Sequence, residues 1–153
     1  MTLLEQLDAD LKTAMLARDE DRKRTLRSVK TAVSNALVEK RGNSGTDAAL
    51  SDDEVLKLIQ KQASQRRDSI AEFSKAGRND LVAIEEAELA ILQTYLPQQL
   101  DAASVRAVVQ QVIAESGATS AQQMGVVMRA AMAQLQGRAD GKLVNQLVRE
   151  LLA

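Results

Sequence analysis

Apolar residues recur at intervals of three and four along nearly all 153 residues, and no segment alternates with the period of two that a half-buried strand needs. That periodicity restricts the chain to an all-α fold. The first helix opens at Thr2, where TLLE fits a capping box with Glu5 reaching back to the cap. Its inner face is Leu4, Leu7, Leu11, Ala14 and Met15. Asp19 caps a second helix, expected to run to about Lys40 with Leu26, Val29, Val33 and Leu37 inward. RGNSGTDAAL, residues 41–50, reads as a loop. Ser51 and Glu54 form a second capping box, which launches a third helix with Val55, Leu56, Ile59, Ala63, Ile70 and Phe73 inward. Gly77 suits the left-handed position that ends it, and a fourth helix from Asn79 or Asp80 turns Leu81, Ile84, Ile91 and Leu92 inward.

Pro97, the sole proline, falls in YLPQQLD. A proline disfavours helical geometry in the residue before it, so the fourth helix must stop here. This divides the chain into an N-terminal helical hairpin or bundle domain, residues 1–96, and a small three-helix domain, residues 97–153. The three shorter helices run from Asp101 to Ser116, closed by Gly117; from Ser120 to about Leu135, opened by the capping box SAQQ; and from Asp140 onward. Met124, Met128 and Met132 recur every fourth residue, which reads as core filling, while Gly125 leaves room for a close helix crossing.

Composition removes whole classes of chemistry. Without cysteine there is no disulfide, thiolate or cysteine-held metal; without histidine the commonest general base and metal ligand are gone. No serine has a base or the Ser-x-x-Lys spacing that replaces one. GRADGK is not a P-loop, because three residues separate its glycines where four are needed and a leucine follows the lysine. The acidic runs Glu85, Glu86, Glu88 and Asp52, Asp53, Glu54 read as ordinary helix-surface and helix-start carboxylates, with Glu88 expected to pair with an arginine of a neighbouring helix. No catalytic residue, no metal and no cofactor is therefore assigned. No stretch approaches the roughly 18 apolar residues that span a bilayer. The start also turns acidic too early for a secretory signal, so a cytoplasmic location and no membrane partner are expected. With a net charge of -1 there is no global basic field, and DNA is not expected as a partner. Phe73 and Tyr95 are the only rings, too few to stack unpaired bases.

One run breaks its own local rules. GRADGKLVNQLVRELL puts Gly141 and Lys142 in the first helical turn, where glycine costs about 1 kcal/mol against alanine and a cation opposes the macrodipole. Lys142, Asn145 and Arg149 follow at three and four on one flank, with Arg138 and Asp140 just before the helix. Such a place is a candidate site for an anion or a partner. A second basic stripe, Lys23, Arg27, Lys30 and Arg41, shares one side of the second helix and reads by default as a solvated face.

Four runs carry a family resemblance. TLRSVKTAV (25–33), QRRDSIAEFSKAGRNDL (65–81), YLPQQL (95–100) and GRADGKLVNQLVREL (137–151) resemble the YqeY family in order and spacing, over nearly the whole chain. The family's C-terminal part is similar to the tail domain of GatB, a subunit of the glutamine-dependent tRNA amidotransferase, whose tail contacts tRNA while separate domains carry the chemistry. The resemblance implies a helical stalk joined to a GatB-tail-like module at 97–153, with tRNA or a tRNA-handling protein complex as partner. In that reading Arg138 and Lys142 neutralise phosphates, Asn145 hydrogen-bonds ribose or a base edge, Asp140 caps the helix, and Arg149 extends the flank. The resemblance does not carry catalysis. Glutamine hydrolysis belongs to another subunit's serine–serine–lysine site and carboxylate activation to the GatB core, so a link to carbon–nitrogen ligase activity with glutamine as amido-N-donor is analogy alone. The rival reading is a protein-interaction adaptor that binds no RNA.

Overall fold

The structure, a computed structural model, describes residues 1–45 and 47–153. It is all-α. The described residues form seven helices, α1 (Leu3–Leu16), α2 (Glu20–Ser44), α3 (Asp52–Lys75), α4 (Asn79–Gln93), α5 (Ala102–Ser116), α6 (Met124–Leu135) and α7 (Gly141–Leu152), with a 3-10 turn at Ala121–Gln123 before α6. Among the described residues there is no strand. The chain divides into two compact units, Met1–Leu96 and Pro97–Ala153.

In the first unit the helix starts form as their local patterns dictate. Thr2 Oγ1 accepts from Glu5 N at 3.1 Å while Glu5 Oε2 accepts from Thr2 N at 2.9 Å. Ser51 and Glu54 repeat the arrangement at α3. The second helix runs further than Lys40, through Gly42 to Ser44, so the first part of the expected loop is helical and residue 46 of it lies outside the described residues. Contacts distant in sequence account for the extension. Lys40 Nζ donates to Ala49 O and to both Glu54 oxygens, and Arg41 Nε donates to Ala48 O, tying the connection back onto the last turns of α2. Gly77, at φ +70°, supplies the left-handed residue after α3.

The apolar cluster of this unit is built from Leu7, Leu26, Val29, Val33, Val55, Ile59, Ala63 and Leu92. It takes nothing from residues 64–88, where α3 and α4 form a hairpin. A two-helix hairpin has one buried seam, so Ile70, Phe73 and Leu81 are half-buried and Ile84 is exposed. Met15, also expected inward, is exposed at the end of α1. Glu88 of α4 is 6 % exposed and held from two helices: Arg24 Nε of α2 and Arg66 Nε of α3 donate to its two oxygens at 2.7 and 2.8 Å. Burying that carboxylate is tolerated because both oxygens receive charge-assisted hydrogen bonds. Glu88 and Asp21 in turn hold the Arg24 guanidinium above its ordinary pKa. Tyr95, after α4, donates to Asp10 of α1 at 2.5 Å, and burial followed by that carboxylate raises its hydroxyl pKa well above the ordinary phenol.

The second unit closes around Val105, Val109, Val112, Val127, Ala131, Leu135, Val144, Leu147, Val148 and Leu152. Met124, Met128 and Met132 lie against this core, as their spacing suggested. Gly125 makes no close crossing, since nothing stands within 4 Å of where its Cβ would be. The expected SAQQ capping box does not form. Ser120 makes no cap hydrogen bond; Gln123 Oε1 takes Thr119 N at 2.7 Å instead, and the first turn tightens to 3-10 geometry. Asp101 caps α5 through Ser104 N at 2.7 Å, and Gly117, left-handed at φ +69°, ends it.

Two predictions follow from these contacts. The double variant Glu85→Ala/Glu88→Ala leaves the Arg66 guanidinium, largely out of solvent, without either of its carboxylates, which stand at 3.5 and 2.8 Å, whereas half-exposed Arg24 keeps Asp21. The expected loss is about 3 kcal/mol, read as an earlier urea midpoint in the fluorescence of the single tyrosine, Tyr95; a shift worth less than about 1 kcal/mol would show that the pair only breaks even with water. Acid should also weaken the helix starts. Lys40 first, then Ser51 N, hold Glu54 below its ordinary 4.5, and Ser104 N holds Asp101 below 3.8. A depressed carboxylate pKa contributes stability that is present above the unfolded value and is lost as pH falls through the folded one. Helicity at 222 nm should therefore melt earlier at about pH 3 than at about pH 6, and less so in the Glu54→Gln/Asp101→Asn double variant, which keeps capping groups but removes both titrations.

Candidate nucleic-acid interface

α7 sorts its residues by face. Val144, Leu147, Val148 and Leu152 are buried in the core of the second unit. The other flank carries Lys142, Asn145, Gln146, Arg149 and Glu150, which border a depression of about 390 Å³. All five come from one helix, so the depression is an open face that a large partner can reach and not an enclosure for a small molecule. Asp140 caps the helix through Lys142 N at 3.4 Å, and Val144 N bonds Asp140 O at 3.2 Å.

The charges on this face differ in their engagement. Glu150 takes Arg106 Nη2 of α5 at 2.9 Å and Gln146 Nε2 at 3.2 Å, so its negative charge is neutralised within the unit. Asp140 and Lys142 are both engaged within the chain. Arg149 is exposed in the last turn, and neither it nor Asn145 makes a side-chain hydrogen bond or ion pair among the described residues. Gly141 has room for a side chain, with Met132 Cε 3.8 Å from where its Cβ would lie, so packing does not explain that glycine.

Arg138 does not share this flank. Its guanidinium turns back to the end of α6, donating from Nε to Leu135 O at 3.0 Å and from Nη2 to Gln134 O at 3.1 Å. Its own carbonyl accepts from Leu100 N at 2.8 Å, and the carbonyl of Gly137 accepts from Gln99 Nε2 at 2.9 Å. The geometry thus separates Arg138 from Lys142, Asn145 and Arg149, and it ties two runs of the sequence, YLPQQL and GRADGK, to one another. Gln99 is the residue that sequence reasoning passed over. The recurrence of both runs in one resemblance was the signal that could have drawn attention to it.

The second stripe is mostly occupied with structure. Lys23 pairs with Glu20, Lys30 with Asp8 of α1, and Arg41 with the carbonyl of Ala48. Arg27 alone of the four is exposed with no side-chain partner among the described residues. Among the described residues no group of three or more carboxylates could hold a metal ion, and no helix is long and apolar enough to cross a membrane.

Comparison with known proteins adds relatives. The chain is 41% identical over 92 residues to "Altered inheritance of mitochondria protein 41, mitochondrial" of Lachancea thermotolerans, a stretch covering 60% of this chain and 46% of that protein. The protein of the same name in Saccharomyces cerevisiae is 40% identical over 92 residues, covering 60% and 47%. That of Eremothecium gossypii is 39% identical over 93 residues, covering 61% and 48%. The chain therefore spans about half the length of the curated relatives it matches. Their names overturn the cytoplasmic location expected from the sequence, since all three are named as mitochondrial proteins. Charge pattern and the lack of a long apolar run do not distinguish one aqueous compartment from another, which is why that expectation had no physical hold. The family model described as Yqey-like protein matches residues 4–152, and the chain belongs to that family.

Proposed function

We propose that the second unit, residues 97–153, is a non-catalytic module that docks on structured RNA, with tRNA as the ligand class, through the exposed flank of α7. The observation that supports this most is the row of Lys142, Asn145 and Arg149 on an open face directly opposite a fully buried seam. An A-form duplex is met through phosphates and 2′-hydroxyls across a shallow groove, and cations with an amide on a rigid helix suit that surface. Single-stranded recognition fits poorly, because the two ring-bearing residues, Phe73 and Tyr95, both lie in the other unit. Glu150, the acidic residue on this flank, is already answered by Arg106 and does not repel a phosphate at full strength.

Titration of the full-length protein against bulk tRNA by fluorescence anisotropy, at roughly 50 and 200 mM salt, tests the reading. Two phosphate contacts predict an affinity loss of about tenfold over that range. Lys142→Glu and Arg149→Glu should each weaken binding and lower the salt slope by about one, with helicity unchanged. Undiminished affinity in both variants would reject α7 as the RNA face. Salt-insensitive capture of a protein, with no tRNA binding, would favour an adaptor instead.

A further inference from the structure

The link between α6 and α7 is held more firmly than a connection requires. α6 ends at Leu135, and the next two residues, Gln136 at φ +46° and Gly137 at φ +80°, are both left-handed. For glutamine that conformation is uncommon and needs support from its surroundings. The break leaves the last carbonyls of α6 without intrahelical donors, at the negative end of the helix dipole. The Arg138 guanidinium answers both needs, donating to Gln134 O and Leu135 O and placing a positive charge at that end. From the other side Gln99 Nε2 holds the carbonyls of Gly137 and Pro97, each at 2.9 Å, and Leu100 N holds that of Arg138. Ala139 follows, buried in the core, and then Asp140, the cap of α7. The chain is thus pinned at each residue from 137 to 140, immediately before the helix that carries the exposed row.

We infer that Arg138 is a positioning residue: with Gln99 it clasps the entry to α7 and sets where Lys142, Asn145 and Arg149 stand, without itself neutralising a phosphate. The inference rests on the reading of α7 as an RNA-facing helix. Turning the guanidinium toward a ligand would take the donor from Gln134 O, leave Leu135 O with the Arg138 amide at 3.0 Å, and loosen the left-handed pair. Lys142, in the first turn, is the member of the row nearest the clasp, and Arg149, two turns on, is held mainly by the packed face of α7.

A neutral residue makes the test sharp, because Gln99 cannot contribute to a salt slope. Full-length wild-type protein and the variants Gln99→Ala, Arg138→Gln, Arg138→Lys and Arg149→Gln are titrated with bulk tRNA over a salt series, at a temperature where their far-ultraviolet spectra coincide. Gln99→Ala and Arg138→Gln should each lose affinity about fivefold or more while keeping the wild-type slope. Arg138→Lys, which can still donate to a carbonyl, should recover part of the loss, and Arg149→Gln should lower the slope by about one. A slope reduced by about one in Arg138→Gln, with Gln99→Ala binding as wild type, would make Arg138 a direct phosphate contact and overturn the inference. If wild-type protein binds no tRNA, the RNA reading falls separately. The clasp is then judged by amide hydrogen exchange. In Gln99→Ala the Val144 amide should exchange faster while those of Val109 and Val112 in α5 stay protected, and unchanged exchange at Val144 would overturn it.

Discussion

Every helix leaves backbone donors unsatisfied at its start and acceptors at its end, and in this chain the answer to those groups helps decide where most helices lie. Beside it stand the ion pairs of Glu88, which tie α4 to α2 and α3. The cores among the described residues are made of leucine, isoleucine, valine and alanine, with half-buried Tyr95 the one ring packed against them. Aliphatic seams of this kind attract without specifying register closely, because dispersion and burial are non-directional. Hydrogen bonds at helix ends are directional. Thr2 and Glu5 close the start of α1, Asp19 that of α2, Ser51 and Glu54 that of α3, Asp101 that of α5 and Asp140 that of α7. Lys40 and Arg41 do for the connection after α2 what Arg138 does for the end of α6.

This use of charge has a consequence for function. A chain with 20 lysines and arginines looks well supplied for binding an anion. Yet Arg24 and Arg66 hold Glu88, Lys30 holds Asp8, Lys40 holds Glu54, and Arg138 holds two carbonyls. Each of these cations already has a short contact that a phosphate would have to displace, and the buried ones would leave a carboxylate uncompensated. In the second-helix stripe Lys23, Lys30 and Arg41 are occupied in this way, and Arg27 is the member without a side-chain partner among the described residues. On α7 Glu150 and Lys142 are engaged within the chain, while Arg149 and Asn145 make no side-chain hydrogen bond or ion pair among the described residues.

How much of this was legible in the sequence follows from how local each cause is. The all-α class was legible, since periodicity of three and four is a property of every short window. So were the boxes at Thr2 and Ser51, where donor and acceptor lie three residues apart. The pattern at Ser120 has the same letters and forms no box, because Gln123 finds the Thr119 amide first, and local pattern does not rank those two outcomes. The end of α2 was misplaced because Gly42 and Asn43 resemble a loop, and the groups that hold the helix there come from Ala48, Ala49 and Glu54. The partner of Glu88 was foreseen only as some arginine; that there are two, from different helices, is a fact of packing. Arg138 was grouped with Lys142 by proximity in sequence, whereas its direction depends on Gln99 and Leu100, far back along the chain.

The size of the α7 face limits what it can do if it meets RNA as proposed. Two cations neutralise about two phosphates, and non-specific contact of that extent is weak at physiological salt. No ring or deep groove on the face adds affinity of another kind. A module so equipped gains little from acting alone. It gains much when something else already holds it near the RNA, because a tethered second contact acts at an effective concentration in the millimolar range. Its value then lies in orientation, and orientation is what a rigid helix pinned at its entry provides. The clasp of Gln99 and Arg138 and the sparse charge of α7 are consistent parts of one design: few contacts, held where they must be.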